Sequence, residues 1–450
     1  MFILLLLTQQ ASPCPAAGFS AGVECRVLMV AENPAQPDGR KIPIRYALAH
    51  STSSAPRAEA VFLFSGGPGA ASTEMAGLAT SLLAPILAVR DIVMVDQRGT
   101  GGSNPLMCPA ELRKHPERAF GTMFPPAAIA ECRAKLGATT DLTRYTTDYA
   151  IGDIDLVRQA LGYQKIILWG GSFGTRIEQA YARRFPDRVK AIVLDAVVPF
   201  DFSLPLSYAA TLQESIDRVL STCRARAACR DSFPDLDRQW ASLVAKFKQQ
   251  TVPVTLTSKW WPPVTVQMTL GDFGYAVRGV LYRADQSQQL PARIAEAAST
   301  GNLDWFAMRY YGRAADFEED FADGLHLAAV CNEETVWIRD ADVGPATANS
   351  FIGTYLIDQY REACKGWPRS PVDSSFRRPL TAPIPTLLVS GLFDPVTPPR
   401  IADRVARYLP NAKHIVDSTS HHGSSFGCAR PAVMYVLREA TLDGLPEVCK

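Results

Sequence analysis

Residues 170–174 read Gly-Gly-Ser-Phe-Gly, a G-x-S-x-G pattern that follows an apolar run and precedes a helical one. On a sharp strand-to-helix turn, such a serine exposes its hydroxyl above a sheet, and the glycines let the two elements pack closely. The N–H groups at the start of the helix then face any negative charge that develops there. The pattern predicts Ser172 as a nucleophile. The alternative is a glycine-rich turn whose serine only caps the helix.

A serine hydroxyl is a weak nucleophile and needs a base, which a carboxylate in turn orients. The chain has six histidines, and two of them, His421 and His422, lie in a loop after the last predicted strand. Asp394 stands just past the end of another predicted strand, in the run Gly-Leu-Phe-Asp-Pro. The chain order serine, aspartate, histidine is the one found in α/β-hydrolases, and it predicts a triad of Ser172, Asp394 and one of the two histidines. A loop aspartate that only closes a turn is the alternative for Asp394.

Acyl transfer also requires hydrogen-bond donors for an oxyanion. Residues 65–69 read Ser-Gly-Gly-Pro-Gly and follow an apolar run at 61–64. Such a loop presents backbone N–H groups at the carboxyl edge of a sheet, and a simple Gly/Pro turn is the alternative interpretation. We expect the N–H groups of Gly67 and Phe173 to form the oxyanion hole.

The elements that position these residues alternate between short apolar runs and helical patterns. Strands are predicted at 61–64, 91–96, 166–169 and 191–194, with helices at 145–161 and 175–185. The rhythm resumes with strands at 386–390 and 414–417 and a helix at 400–408. This alternation is typical of an α/β fold with a mostly parallel, doubly wound sheet.

Residues 201–371 interrupt the rhythm with an irregular, helix-rich stretch that carries several tryptophans and tyrosines. We interpret residues 40–200 and 372–450 as the two parts of one α/β-hydrolase core, and residues 201–371 as an inserted helical cap domain. Trp260 and Trp261 are expected to pack in the core of this cap, and an apolar substrate pocket is the alternative.

Three motifs occur in a fixed order: Gly-Gly-Pro-Gly at 66–69, Asp-Gln-Arg-Gly-Thr-Gly-Gly-Ser at 96–103 and Gly-Gly-Ser-Phe-Gly at 170–174. Together they resemble the proline iminopeptidase and tripeptidyl aminopeptidase family, α/β-hydrolases that release residues from peptide N-termini. The resemblance covers about residues 40–200 and 380–430. Two later runs, Ala-Val-Cys-Asn-Glu-Glu at 329–334 and Cys-Lys-Gly-Trp-Pro at 364–368, are similar to the tripeptidyl aminopeptidase branch, whose members are typically secreted.

The resemblance implies roles for individual residues. Ser172 is the expected nucleophile, Asp394 the acid and His422 the base, because the family's histidine directly precedes Gly or Ser. Two positions depart from the family's pattern, since His421 stands where glycine is usual and Ser65 stands where histidine is frequent.

An enzyme that removes N-terminal residues has to recognise a free α-ammonium group, and a carboxylate is the simplest partner for it. Related enzymes use acidic residues from or near the cap, so Glu333 and Glu334 are the candidates in this chain. The alternative is that both are solvated surface glutamates. Asp96 and Arg98 are expected to brace the loop beside the oxyanion hole rather than to touch substrate.

Ten cysteines are spread along the chain, and none forms a C-x-x-C pair that would indicate a zinc ribbon or a thioredoxin-like site. An even number suits disulfides, which persist in oxidising compartments, whereas buried free thiols are the alternative. Neighbours in sequence are the first guess for the pairing, with Cys223 and Cys229 closing a tight loop. The family resemblance implies that Cys331 and Cys364 bridge the insertion to the edge of the core.

Residues 2–7 form an apolar run, although no Lys or Arg precedes it. The run is too short to span a bilayer and resembles the apolar region of a secretory signal, so residues 1–20 are interpreted as a leader segment. A plain hydrophobic tail is the alternative. With the cysteines, this segment predicts export to the periplasm or the medium, and no membrane span in the mature protein.

Charge and composition limit the partners. The chain has 46 basic and 45 acidic residues, which gives no electrostatic reason to expect nucleic acid or an anionic membrane. Neither H-E-x-x-H nor G-x-x-x-x-G-K-[ST] occurs, so no metal or organic cofactor is expected. The expected partner is a peptide or small-molecule substrate, and the oligomeric state stays open.

Three functions fit these observations. The leading hypothesis is an exported serine exopeptidase that releases one to three residues from peptide N-termini through an acyl-enzyme. The second keeps the same triad but acts on esters or amides without a free amine, since fold and triad do not determine the substrate. The third is an inactive hydrolase fold that serves as a binding module, and the presence of all three triad residue types argues against it.

Overall fold

A computed structural model of the 450-residue chain describes residues 9–12, 14 and 22–449. The apolar run at residues 2–7, which the sequence predicts as part of a leader, lies outside the described residues. In the described part, no helix combines the length and the apolar character that crossing a membrane requires.

A nine-stranded sheet forms the centre of the structure, with the order β1-β2-β3-β5-β4-β6-β7-β10-β11. The strands from β5 to β11 in this order are parallel, and β1, β2 and β3 extend the sheet in antiparallel pairing. The predicted α/β-hydrolase fold with a mostly parallel sheet is therefore confirmed. The strands are β1 Gln9–Ser12, β2 Val23–Ala31, β3 Lys41–Ala49, β4 Ala60–Phe64, β5 Ile92–Val95, β6 Ile166–Gly171, β7 Val189–Asp195, β8 Val252–Leu256, β9 Val264–Met268, β10 Thr386–Gly391 and β11 Ala412–Asp417.

Helices cover both faces of the sheet and fill the long segment between β7 and β10. They are α1 Ala76–Thr80, α2 Ala84–Leu87, α3 Pro126–Gly137, α4 Thr147–Ala160, α5 Phe173–Arg184, α6 Leu204–Ala225, α7 Ala227–Ser232, α8 Leu236–Gln249, α9 Leu270–Leu281, α10 Ala284–Ser287, α11 Leu290–Thr300, α12 Asp304–Asp320, α13 Asp323–Ala329, α14 Asp340–Thr347, α15 Tyr355–Cys364, α16 Pro399–Ala406 and α17 Arg430–Glu439.

The central strands are buried along their whole length because both faces are covered. Every residue of β4, β5 and β10 is buried. Apolar side chains of α4, α5 and α16 pack on one face, and those of α1, α2 and α17 pack on the other. Burial on two faces is the reason these strands appear in the sequence as continuous apolar runs.

The segment between β7 and β10 builds a hydrophobic core of its own, which includes Trp240, Phe273 and Phe306. The strands β8 and β9 form a separate antiparallel hairpin within it. Trp261 packs against this core, with its ring 5.7 Å from that of Tyr311, as expected. For Trp260 the expectation of core packing is wrong, because its side chain is 79% exposed.

All ten cysteines are paired, and each pairs with its neighbour in sequence. The bridges are Cys14–Cys25, Cys108–Cys132, Cys223–Cys229, Cys331–Cys364 and Cys428–Cys449. The pair Cys331–Cys364 joins two segments that both lie between β7 and β10. It therefore closes the insertion on itself, and the expected bridge from the insertion to the core edge is wrong.

Candidate active site

Ser172 stands at the turn between β6 and α5, with φ 56° and ψ −124°. A positive φ is costly for a residue with a Cβ, about 1–3 kcal/mol, and occurs where the surroundings enforce it. The glycines on either side make the turn possible. A Cβ at Gly174 would lie 2.4 Å from the carbonyl oxygen of Phe64, and one at Gly170 would lie 2.4 Å from Glu178 Oε1. The sequence motif therefore forms a strained strand-to-helix turn of the kind on which α/β-hydrolases carry their nucleophile.

His422 and Asp394 meet at this edge of the sheet. The two residues lie in the loops that follow β11 and β10, and His422 Nδ1 donates to Asp394 Oδ2 at 2.8 Å. Asp394 Oδ1 also accepts from the backbone N–H of Val396 at 2.7 Å and of Thr397 at 2.9 Å. Burial disfavours the charge of Asp394, but His422 and these donors outweigh it and hold the pKa below its ordinary value. The carboxylate is therefore ionised at neutral pH and fixes Nδ1 as the protonated nitrogen of the imidazole.

His421, the alternative base, has a different environment. Its ring stacks on Phe393 with centroids 5.3 Å apart, and no carboxylate forms a hydrogen bond with either ring nitrogen in the described residues. Burial lowers its pKa. Without a carboxylate bonded to its ring, His421 lacks the orienting group that a base in a triad requires.

The predicted oxyanion loop lies directly against the nucleophile turn. A Cβ at Gly66 would lie 3.0 Å from Ser172 Cβ and 3.6 Å from the Phe173 nitrogen, so only glycine allows this approach. Gly67 has a φ of 118°, a conformation that L side chains rarely adopt. Phe173 is the first residue of α5, whose amino end carries partial positive charge. The loop that carries Gly67 and the amino end of α5 thus come together beside the serine.

Asp195, at the end of β7, was not recognised from the sequence. Its carboxylate accepts the backbone N–H of Ser424 at 2.8 and 2.9 Å and that of Ser425 at 2.8 Å. Burial raises its pKa. These bonds fix the loop that begins at His422. An acidic residue at the carboxyl end of a predicted strand next to the nucleophile strand was the signal that could have revealed it.

Asp96 and Arg98 brace the surrounding loops from inside. Asp96 accepts from the backbone N–H of Thr73 at 2.8 Å and from that of Gly102 at 3.0 Å. Arg98 donates two hydrogen bonds to Asp153, at 2.6 and 2.8 Å. Both side chains are buried and have protein partners, as expected of braces.

Glu333 and Glu334 lie in a π-helical segment, Val330–Glu334, that continues α13. Both are buried, so the alternative of two surface glutamates is wrong. Glu333 accepts from the backbone N–H and the hydroxyl of Thr147 at 2.5 and 2.8 Å. Glu334 accepts from Arg176 Nη1 and from the backbone N–H of Leu204, both at 2.7 Å. Glu333 thereby ties the insertion to the amino end of α4, and Glu334 ties it to Arg176 of α5.

The insertion contributes two aromatic residues that the sequence did not single out. The Tyr282 ring lies 4.8 Å from the ring of His422. On the other side of the site, a Cβ at Gly67 would lie 3.3 Å from Phe321 Cε1. Tyr282 and Phe321 thus flank the histidine and the oxyanion loop, and both belong to the segment predicted as a cap.

Possible metal ligands come together at one place in the described part of the chain. Asp417, Cys428 and Cys449 have their ligand atoms within 4.8 Å of one another. The two sulfur atoms are bonded to each other, and Asp417 accepts from the backbone N–H of Cys428 at 2.9 Å. A disulfide sulfur is a poor metal ligand, so this group is a structural link near the carboxyl terminus.

Comparisons with known proteins agree with this geometry. A family model described as alpha/beta hydrolase fold matches residues 59–427. Serine protease Hip1 of Mycobacterium tuberculosis is 24% identical over 447 residues, which cover 91% of this chain and 84% of the relative. A tripeptidyl aminopeptidase of Streptomyces lividans is 28% identical over 194 residues, 39% of this chain and 35% of the relative. A proline iminopeptidase of Neisseria gonorrhoeae is 33% identical over 138 residues, 30% of this chain and 32% of the relative. Because the family model matches most of the chain, this protein belongs to the alpha/beta hydrolase fold family.

Proposed function

We propose that this protein is a serine peptidase that cleaves through an acyl-enzyme. The observation that carries the proposal is the 2.8 Å hydrogen bond from His422 to Asp394, at the same edge of the sheet as a serine held at positive φ. Serine, histidine and aspartate in these structural positions form the machinery of acyl transfer on this fold.

Each residue then has one role in the reaction. His422 Nε2 accepts the proton of the Ser172 hydroxyl as the oxygen attacks the carbonyl carbon of the substrate. Asp394 stabilises the imidazolium that forms, and the N–H groups of Gly67 and Phe173 bind the oxyanion. His422 next gives the proton to the leaving amine. Water then attacks the acyl-enzyme. His422 accepts the proton of the water and returns it to the Ser172 oxygen as that oxygen leaves.

We further propose that the substrate is cleaved near its N-terminus. The support is the sequence similarity to a tripeptidyl aminopeptidase over 194 residues and to a proline iminopeptidase over 138 residues. This proposal does not assign the group that binds the N-terminal amine. Glu333 and Glu334 each already accept two internal hydrogen bonds, which favours a structural role over binding of an ammonium group. A hydrolase of esters or amides without a free-amine requirement is the second candidate.

Export is also proposed. Four disulfides lie wholly outside residues 1–20 and are typical of proteins that mature in an oxidising compartment, and the apolar run at residues 2–7 resembles a secretory signal. The test is the location of the protein in its native cells and the redox state of its cysteines there. Free thiols in protein isolated under alkylating conditions would contradict the proposal.

The experiment compares chromogenic amides that carry a free N-terminal amine, with one residue or three before the cleaved bond, and their N-acetylated forms. A short-chain ester completes the panel. Ser172→Ala should lower kcat on the order of 10⁶-fold. The matched control is Ser221→Ala, which removes an exposed hydroxyl on α6.

Cleavage of the free-amine forms alone would support the exopeptidase. Equal cleavage of the acetylated forms, or of the ester alone, would leave the second candidate. Turnover by Ser172→Ala at the wild-type rate would overturn the proposed nucleophile.

A further inference from the structure

Arg278, in the middle of α9, is a buried cation without a counterion. Its side chain is 5% exposed. Within the part of the chain that the structure describes, it makes neither an ion pair nor a hydrogen bond, and its Nε is enclosed without an acceptor. A guanidinium group stays protonated in proteins, and burying an unpaired charge is strongly unfavourable. The N–H donors of Arg278 are therefore available to an anion.

Three tyrosine rings surround the guanidinium. Its Cζ lies 5.0 Å from the ring centroid of Tyr208, 5.7 Å from that of Tyr275 and 5.1 Å from that of Tyr282. Cation–π contacts offset part of the cost of burial, but they do not satisfy the N–H donors of the group. The hydroxyl of Tyr208 is also buried without a partner. Two unsatisfied polar groups, Arg278 and Tyr208, thus lie side by side.

The position of Arg278 connects it with the reacting groups. Tyr282, which lies over Arg278, also contacts the ring of His422 at 4.8 Å. His326 is within electrostatic range of Arg278, and its Nδ1–H donates to the carbonyl of Pro68 in the oxyanion loop at 3.0 Å. Burial lowers the pKa of His326 to about 4, and the nearby charge of Arg278 acts in the same direction. Arg278 therefore contacts Tyr282, which touches the catalytic histidine, and acts electrostatically on His326, which is bonded to the oxyanion loop.

A second arginine adds to the positive charge at this place. The Cζ of Arg313 lies 4.3 Å from the centroid of Tyr282, and no carboxylate of the described residues forms an ion pair with it. An ammonium group would be repelled here, whereas an anion would be attracted. The positive charge of Arg278 and Arg313 therefore favours a negatively charged group at this place.

We propose that Arg278, together with the hydroxyl of Tyr208, binds a carboxylate of the substrate. Two oxygens of a carboxylate match the N–H donors of a guanidinium and leave a lone pair for a hydroxyl donor. The inference rests on the proposed peptidase function, because a peptide offers a carboxylate from two sources. One is an Asp or Glu side chain near the cleaved bond, and the other is the free C-terminus of a short peptide.

The experiment varies one group of the substrate at a time on the wild-type enzyme. The first pair has Glu or Gln on the acyl side of the cleaved bond, and the second has Glu or Gln on the leaving side. The third pair is a short peptide with a free C-terminal carboxylate and its C-terminal amide. We expect one of these pairs to show a kcat/KM ratio of acid to amide of about 10 or more, the discrimination of a good charge-assisted hydrogen bond. The pair that shows it identifies the source of the carboxylate.

Variants assign that preference to the arginine. Arg278→Gln should bring the ratio of acid to amide close to one, and Arg278→Lys should retain part of it because the charge remains. Arg309→Gln is the matched control, since Arg309 is an exposed arginine of the same insertion whose Cζ lies 5.4 Å from the ring centroid of Trp305. It should leave the ratio unchanged. A purely structural role for Arg278 would change the melting temperature and leave the ratio as it is.

The outcomes separate this inference from the proposed function. Ser172-dependent cleavage with equal kcat/KM for all acid and amide pairs would overturn the carboxylate site and leave the peptidase standing. If no peptide is cleaved, the peptidase proposal fails, and direct binding decides the site. Glutarate, titrated into Ser172→Ala in a calorimeter beside its diamide, should bind more tightly than the diamide. Equal binding of glutarate and its diamide would overturn the inference. The substrate comparisons on the wild-type enzyme test the carboxylate site even if the Arg278 variants do not fold.

Discussion

Asp195 and Ser424 lie far apart in the sequence, yet both carboxylate oxygens of Asp195 accept the backbone N–H of Ser424, at 2.8 and 2.9 Å. The first residue comes from the strand beside the nucleophile strand, and the second follows the candidate base by two positions. This contact ties the loop of His422 to the sheet that carries Ser172. The distance between nucleophile and base is thereby set by the core of the fold and not by the loop alone.

Replacement of Asp195 tests this positioning role. Asp195→Ala leaves the N–H groups of Ser424 and Ser425 without acceptors, so His422 loses its fixed orientation. We expect kcat to fall about 10- to 100-fold with little change in KM, because the residue acts through the base and does not touch the substrate. Asp195→Asn retains one acceptor oxygen, so its kcat should fall less than that of Asp195→Ala. A large fall in the free energy of unfolding together with a raised KM would instead indicate general damage to the fold.

The choice between the two adjacent histidines is a second prediction. His422→Ala should lower kcat on the order of 10⁴-fold or more, because it removes the only imidazole of the pair that is bonded to Asp394. His421→Ala should leave kcat within about tenfold and lower the free energy of unfolding by about 1–3 kcal/mol, since its ring packs on Phe393. Steady-state kinetics and denaturant unfolding of both variants check this. A larger kinetic loss in His421→Ala would reverse the assignment.

Glu333 gives a prediction for the pH dependence of stability. Its complete burial raises the pKa from an ordinary 4.5 to about 7. The folded state therefore binds this proton more tightly than the unfolded state. The contribution of Glu333 to the free energy of unfolding should be fully present below about pH 4.5, fall by about 3 kcal/mol as the pH rises to 7, and then level off.

Glu333→Gln should make the pH dependence less steep by this contribution, because an amide does not titrate and still offers an oxygen to Thr147. The measurement is denaturant unfolding from pH 4.5 to 8 of the wild type and the variant. Parallel curves for the two proteins would show that another group controls the dependence. Unchanged cleavage of free-amine substrates by Glu333→Gln would remove this glutamate from the amine-binding candidates.

Two disulfides of the insertion allow a matched comparison. Cys331 and Cys364 are 33 positions apart, whereas Cys223 and Cys229 are 6 apart. In the chain-entropy treatment, closing the larger loop stabilises the fold by about 4 kcal/mol and the smaller by about 2 kcal/mol. The double alanine variant of the first pair should therefore unfold at clearly lower denaturant concentration than that of the second. An equal loss in the two variants would mean that local packing, and not loop closure, decides their contribution.

The parallel strands of the core could be predicted from the sequence because burial on both faces produces continuous apolar runs in it. The strands β4, β5, β6, β7, β10 and β11 all coincide with predicted apolar runs, to within a few residues at each end. The strands β2 and β3 were missed, since each mixes exposed or half-buried positions with buried ones and has no continuous apolar run. The hairpin of β8 and β9 was missed for the same reason within a segment interpreted as helical.

Local sequence also predicts only some of the residues at the candidate site. Ser172 and Asp394 stand in short motifs next to predicted strands, so local sequence could point to them. The contact of Tyr282 with His422 and the cage around Arg278 depend on how the insertion folds back over the sheet. No local pattern encodes that arrangement, because its partners come from separate helices and loops.

The insertion between β7 and β10 also separates the candidate nucleophile from its base in the order of synthesis. Ser172 is made before the whole insertion, and His422 is made after it. During translation or passage through a translocon, a partly delivered chain therefore carries a serine with no base to activate it. If Ser172 and His422 act together, hydrolytic activity begins only when the last strands of the sheet have joined, so the machinery that makes the chain is never exposed to an active fragment of it.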